Sequence, residues 1–218
     1  MALCLAGLVG CGENVTRYRT RGDAAYSAGQ WLDARDNYDA YLRVRGQELE
    51  VRRRLGNSLS NLGRHTDAVS ELKIAHSQAP RDAGVLDDLG RAMLAAGRGD
   101  ELLSMLRGYA EQYAGAEDWV RLGRFATRAG DYDTARTALL TGARLDRGQS
   151  VGPQLALYEF YLRLGDRESA VQRLRMAHYL DPLSLELRAV VRGEGLSPTT
   201  DLGIKPTEQL PIDQLPPL

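Results

Sequence analysis

Small and large apolar residues recur along this chain in a fixed order. A glycine is followed five positions later by a small residue and nine positions later by a large one: Gly29, Ala34 and Tyr38; Gly63, Ala68 and Leu72; Gly130, Ala135 and Leu139; Gly165, Ala170 and Leu174. Gly97 opens a further block, with Leu102 in the small position and Leu106 in the large one. Seven residues before each glycine stands Gly22, Gly56, Gly90 or Gly123, with Tyr158 in that place in the last block. The blocks repeat every 33 to 35 residues, an interval typical of stacked helical hairpins. Small residues let two antiparallel helices approach closely and large ones fill the next gap. The central glycine ends the first helix by accepting a left-handed conformation. The pattern therefore predicts five helical hairpins, over about 15–48, 49–82, 83–115, 116–150 and 151–184.

Departures from the pattern carry expectations of their own. In the third block Gly99 stands where an aromatic residue belongs and Leu102 where a small one does, which predicts a late start or looser packing for its second helix. Tyr18 and Gln154 occupy the slot that holds Trp119 in the fourth block. After the fifth block Leu183, Leu185, Leu187, Val190 and Val191 predict a short helix ending at Gly193 that covers the last apolar face.

In the fourth block Trp119, Leu122, Gly123, Ala126, Gly130, Tyr132 and Ala135 match the tetratricopeptide repeat almost position by position, and Pro80 and Pro182 close two units. Over about three quarters of its length the chain resembles that family. The resemblance implies an all-α, right-handed superhelical solenoid of about five hairpins with a C-terminal capping helix over residues 15–192. It also implies a non-enzymatic role, in which the first helices line a concave groove for a peptide or helix of a partner protein.

Composition adds little to this. A chain of 218 residues that is 43% hydrophobic can bury a continuous core, and a net charge of −1 argues against a nucleic-acid binder held by bulk charge. All but Lys73 and Lys205 of the 28 basic residues are arginine, a bias that carries no function by itself.

The N-terminus changes the picture more. An apolar run ends at Leu8-Val9-Gly10-Cys11, which looks like a bacterial lipobox. In lipoproteins of that kind the signal segment is cut before the cysteine, whose thiol takes a diacylglycerol, so residues 1–14 read as a partial signal peptide and Cys11 as a lipidation site. Gly12 rather than Asp follows, which in diderm bacteria leans toward the outer membrane, on its periplasmic face. The first ten residues hold no Lys or Arg, which a secretory signal calls for, so either the true start lies upstream or the segment is an ordinary buried strand or helix end; ten apolar residues are too few to span a bilayer. The other reading makes the segment a capping element on the first repeat of a cytoplasmic protein.

Nothing points to catalysis or a cofactor. His65, His76 and His178 read as helix-packing residues, and no phosphate loop, Cys-x-x-Cys pair or nucleophile elbow is present. In the groove, Arg53 and Asn57 match the first two positions of the clamp by which some such domains hold a chaperone's C-terminal carboxylate. Asp88 and Glu117 then stand where asparagine and lysine would complete it, so chaperone-tail binding is not expected. A looser expectation is that Arg53, Arg91, Arg124 and Arg128, with Asn57 among them, pair with carboxylates of an extended ligand. The alternative is a solvated charged face, with Glu50, Asp87 and Glu117 nearby.

Residues 193–218 hold five of the eight prolines and repeat Glu-Gln-Leu-Pro as Asp-Gln-Leu-Pro five residues later. This reads as an extended, disordered tail, with three roles open: a linker, a doubled docking motif, or a segment that fills the chain's own arginine-bearing groove through Glu208 and Asp213. Together these features suggest a lipid-anchored scaffold for assembly of an envelope complex such as a pilus or secretion machine. A soluble cytoplasmic adaptor is the alternative.

Overall fold

The computed structural model describes residues 10–210, with side chains from Val15 onward except that of Thr200. Residues 1–9, the lipobox leucine and valine among them, and the side chain of Cys11 lie outside what is described. Among the described residues there are eleven α-helices and no strand. The chain divides into two compact units, residues 1–99 and 100–218.

The first unit carries α1 (Gly10–Ser27), α2 (Trp31–Val44), α3 (Leu49–Asn61), α4 (His65–Gln78) and α5 (Ala83–Ala95). The second carries α6 (Gly99–Tyr113), α7 (Ala116–Ala129), α8 (Tyr132–Asp146), α9 (Val151–Leu164), α10 (Arg167–Leu180) and α11 (Leu185–Gly193). Among the described residues α1 is already helical at Gly10, ahead of the expected boundary at 15.

All five phased glycines adopt the left-handed conformation, with φ between +70° and +83°. In each block the next helix begins two residues later. This holds for α6 as well, so the late start expected from Gly99 does not occur. The glycine turn sets the helix start, and Asp100 and Glu101 in the first turn of α6 favour its positive end. Leu102 is fully buried there despite its size.

Within the first unit, the core runs between the two helices of each hairpin. A Cβ at Gly22 would stand 2.7 Å from the Tyr38 ring, and one at Gly56 would stand 2.6 Å from Leu72 Cγ, so the missing side chains are what allow those helices to meet. Tyr38 is completely buried, and its hydroxyl donates to Asp23 Oδ1 at 2.9 Å. Burial, together with that carboxylate, raises the phenol well above its usual pKa.

In the second unit, Gly123 faces Leu139 in the same way, and Phe160 lies buried edge-on to Tyr132 and Tyr161 at 6.4 and 5.3 Å. The last hairpin ends differently. Tyr158 packs with Ala170, Leu174, Ala177, Leu187 and Val191, and its hydroxyl donates to Glu194 Oε1 at 2.7 Å. Burial first, then Glu194, pushes that phenol up to about 12. The cap is narrower than the sequence suggested. Leu187 and Val191, four apart, share the inner face of the helix, whereas Leu185 lies on its outer side and Leu183 in the turn before it, 80% and 78% exposed.

The tail also departs from expectation, for residues 194–210 are folded onto the array. Leu196 and Leu202 pack on the Tyr158 cluster, and two single 3₁₀ turns, Thr200–Leu202 and Thr207–Gln209, lead to a buried Glu208. A proline-rich strand needs no hydrogen bonds of its own when a helix supplies them. Arg175 Nε donates to Leu202 O at 2.8 Å, and Ile204 N–H donates to Arg175 O at 3.3 Å. Glu208 accepts from Arg173 Nη1 at 2.5 Å and Gln154 Nε2 at 3.0 Å. Burial opposes its ionisation, but the Arg173 charge and these hydrogen bonds prevail and hold its carboxyl below the usual range. A depressed native pKa stabilises the docked tail above the unfolded value of about 4.3, and that stabilisation is lost as pH falls through the folded one. The protection factor of the Ile204 amide is therefore expected to fall below about pH 4 while the protection of α9 is retained. Equal protection of Ile204 at pH 3 and pH 6 would contradict this.

Candidate peptide-binding groove

In the first unit α3 lies beside both α1 and α5, so the first helices of three successive blocks form one row. The amphipathic period turns Tyr26 of α1, Asn57, Ser60 and Asn61 of α3, and Arg91 and Ala95 of α5 toward a common open cleft of about 370 Å³. His65, at the start of α4, and Asp88 complete its lining.

Asp88 is the centre of charge in this cleft. It is 3% exposed, yet it accepts from Arg53 Nε at 2.5 Å and Asn57 Nδ2 at 2.8 Å through one oxygen and from Arg91 through the other. Burying a carboxylate requires this many donors. Gly84 makes room for one of them, since a Cβ there would stand 2.7 Å from an Arg53 terminal nitrogen. Two guanidinium groups against one carboxylate leave the cluster a formal charge of +1. Arg53 is largely shielded, while the Arg91 side chain is 59% exposed and reaches into the cleft. A second network borders it: Arg54 donates to Asp23 and Glu50, both at 2.8 Å, and lies 5.6 Å from the centre of the Tyr26 ring. The Tyr26 face is thereby fixed as a flat apolar wall.

Arg53, Asn57 and Arg91 thus come together around an internal acid, with Arg91 alone of the three largely open to solvent. By sequence position Asp88 is a gap in the clamp, whereas in the fold it is the hub. Arg124 and Arg128 stand on α7 in the second unit. Arg124 Nη2 donates to the Gly152 carbonyl at 3.3 Å, and Arg128 lies over the Phe125 ring at 5.5 Å. Arg124 is thereby tied to the start of α9, and Arg128 is an exposed cation on an aromatic face.

Solved structures share this arrangement of hairpins. The chain matches the crystal structure of MamA protein with a TM-score of 0.55 at 21% identity, over 85% of this chain and 98% of that one. It matches TTC0263, a thermophilic TPR protein of Thermus thermophilus, with a TM-score of 0.56 at 21% identity, over 83% and 98%. The chain has the tetratricopeptide-repeat fold. MamA from residue 41 onward of Desulfovibrio magneticus is a further match, with a TM-score of 0.55 at 19% identity over 78% and 96%. No protein-family model and no curated protein matches the sequence.

In tetratricopeptide terms the cleft lies on the first-helix row. Among the described residues, no group of three or more His, Cys, Asp or Glu side chains could hold a metal ion, and no helix is long and apolar enough to cross a membrane.

Proposed function

We propose that this chain is a non-catalytic scaffold that holds an extended, carboxylate-bearing segment of a partner protein across α1, α3 and α5. In this reading it works lipid-anchored through Cys11 on the periplasmic face of a bacterial outer membrane, in assembly of a complex such as a pilus or secretion machine. The observation that carries the binding half is the cleft itself: an aromatic wall at Tyr26, amide and hydroxyl groups at Asn57, Ser60 and Asn61 to meet a backbone, and the exposed cation of Arg91. The anchoring half is supported by the sequence Leu8-Val9-Gly10-Cys11.

A photo-crosslinking amino acid placed at Ser60 tests the first half in cells. It captures one discrete partner, and the same group at the exposed Ser77 on α4 does not. Equal capture from both positions would rule the groove out. The second half is tested by intact mass and fractionation of protein made with its native upstream region, beside Cys11→Ser. An acylated chain beginning at Cys11 supports the envelope reading, and a soluble chain retaining Met1 supports the adaptor.

Asp88→Asn keeps the shape of the hub and removes its charge, which restores the asparagine of the clamp and releases both guanidinium groups. Affinity for an extended acidic peptide is expected to rise about tenfold, equivalent to about 1.4 kcal/mol, as measured by fluorescence anisotropy. An unchanged Kd would show that Arg53 and Arg91 do not read carboxylates.

A further inference from the structure

Arg173 on α10 and Gln154 on α9 are held against each other before any ligand carboxylate is considered, with Arg173 Nη1 donating to Gln154 Oε1 at 3.0 Å. Both are buried, and apart from Tyr158 and His178, whose polar atoms face Glu194 and the Thr199 carbonyl, the other buried residues of these two helices are apolar. A buried arginine whose nearest protein acceptor within the array is a neutral amide calls for an anion, since removing one partner of a buried pair leaves an uncompensated charge. Glu208 supplies that anion from the tail.

The next residue is also read, because Gln209 Nε2 donates to the Gly148 carbonyl at 2.7 Å. Gly148 sits in a left-handed turn where a Cβ would strike Pro206 at 2.7 Å. The pocket therefore selects an acid followed by glutamine. The chain carries that pair twice, in Glu208-Gln209-Leu210-Pro211 and Asp213-Gln214-Leu215-Pro216.

We propose that Gln154, Arg173 and the Gly148 carbonyl form a receptor site for an acid followed by glutamine, and that Asp213-Gln214 is its second occupant, exchanging with Glu208-Gln209. The tail then has two registers five residues apart. In the observed one it runs antiparallel along α10, with the Thr199 carbonyl at 3.0 Å from His178 Nε2, and Gly203 against the Tyr179 backbone. In the second register the same anion site is filled, so Arg173 keeps its counter-charge. Five residues of slack then form between Leu202 and the pocket, and α10 loses Ile204 from the Arg175 carbonyl and Gly203 from the Tyr179 backbone. Doubling that loop makes the second register roughly threefold less populated than the first. Asp213 is one methylene shorter than Glu208, which favours the first register in the same sense. Arg173 stays ion-paired in both registers, so the tail can slacken over α10 without exposing a bare buried charge.

The test uses the full-length chain and the guanidinium signals of Arg173 in nitrogen-15 NMR, which are sharp and slow to exchange only while an anion holds the side chain. In Glu208→Gln the signals are expected to persist, and backbone protection moves to residues 213 and 214. In Glu208→Gln with Asp213→Asn they are expected to broaden and exchange at least tenfold faster. Asp213→Asn alone leaves them as in the parent chain, and far-ultraviolet circular dichroism confirms that all variants keep their helices. If Glu208→Gln alone loses the Arg173 signals as fully as the double variant does, the second register does not exist and the proposal is overturned. It is equally overturned if the signals survive in the double variant, because the site then requires no carboxylate from either copy.

Discussion

Gly56→Val is expected to lower the stability of the first unit by about 3 kcal/mol. The new Cβ would stand 2.6, 3.0 and 3.2 Å from Cγ, Cδ2 and Cδ1 of Leu72, and Leu72 is fully buried, with no exposed side to turn toward. Cγ is the branch point of that side chain, so a rotamer change moves its methyls without clearing the contact. The hairpin must open, and with it the packing of Val51, Leu55 and Leu59 on α3. Leu72→Ala alone is also costly, about 3 kcal/mol, because it leaves a cavity. Combined, the two changes complement one another, and the double variant is expected to be about 2 kcal/mol more stable than the sum of the single effects predicts. Urea unfolding followed by Trp31 fluorescence, in a Trp119→Phe background, reads the first unit separately. Strict additivity would show that the two residues do not share one space.

Phe160→Ala carries the largest expected loss in the second unit, about 4 kcal/mol. The ring is fully buried and meets two others edge-on, so truncation removes both its apolar burial and its aromatic contacts. Phe160→Leu retains most of the volume and is expected to cost about 1.5 kcal/mol. Trp119 fluorescence in urea, with Trp31→Phe, distinguishes them. Equal midpoints for the alanine and leucine variants would mean that the site collapses around the smaller side chain and that ring geometry contributes nothing.

The hairpins are legible in the sequence because each rests on local chemistry. A left-handed turn needs glycine, and a close helix crossing needs a small residue, so five turns at one interval locate ten helices. Charge is less legible. Arg53 and Asn57 stand out by position, but Asp88 reads as a departure. Its meaning depends on α5 lying beside α3, which brings together residues one repeat apart. The tail misleads because proline content describes the chain in isolation, whereas its anchors belong to α9 and α10. One signal is visible: Gln154 sits in the slot that holds Trp119 in the fourth block, and a buried amide there needs polar company. In the cap, Leu183 and Leu185 look equivalent to Leu187 and Val191 because hydropathy alone says neither where the nine-residue helix begins nor which side of it faces inward.

The chain's reliance on arginine leaves two lysines, and their positions turn composition into an instrument. Lys73 is exposed on α4 of the first unit, and Lys205 is exposed on the tail between Ile204 and the buried Pro206. Amine-reactive dyes therefore label the side chains of this protein at two addresses, one on a rigid helix and one on the segment that crosses α10. A fluorophore on Lys205 would follow that crossing in real time, with Lys73 as its stationary reference, in the natural sequence and without an engineered cysteine.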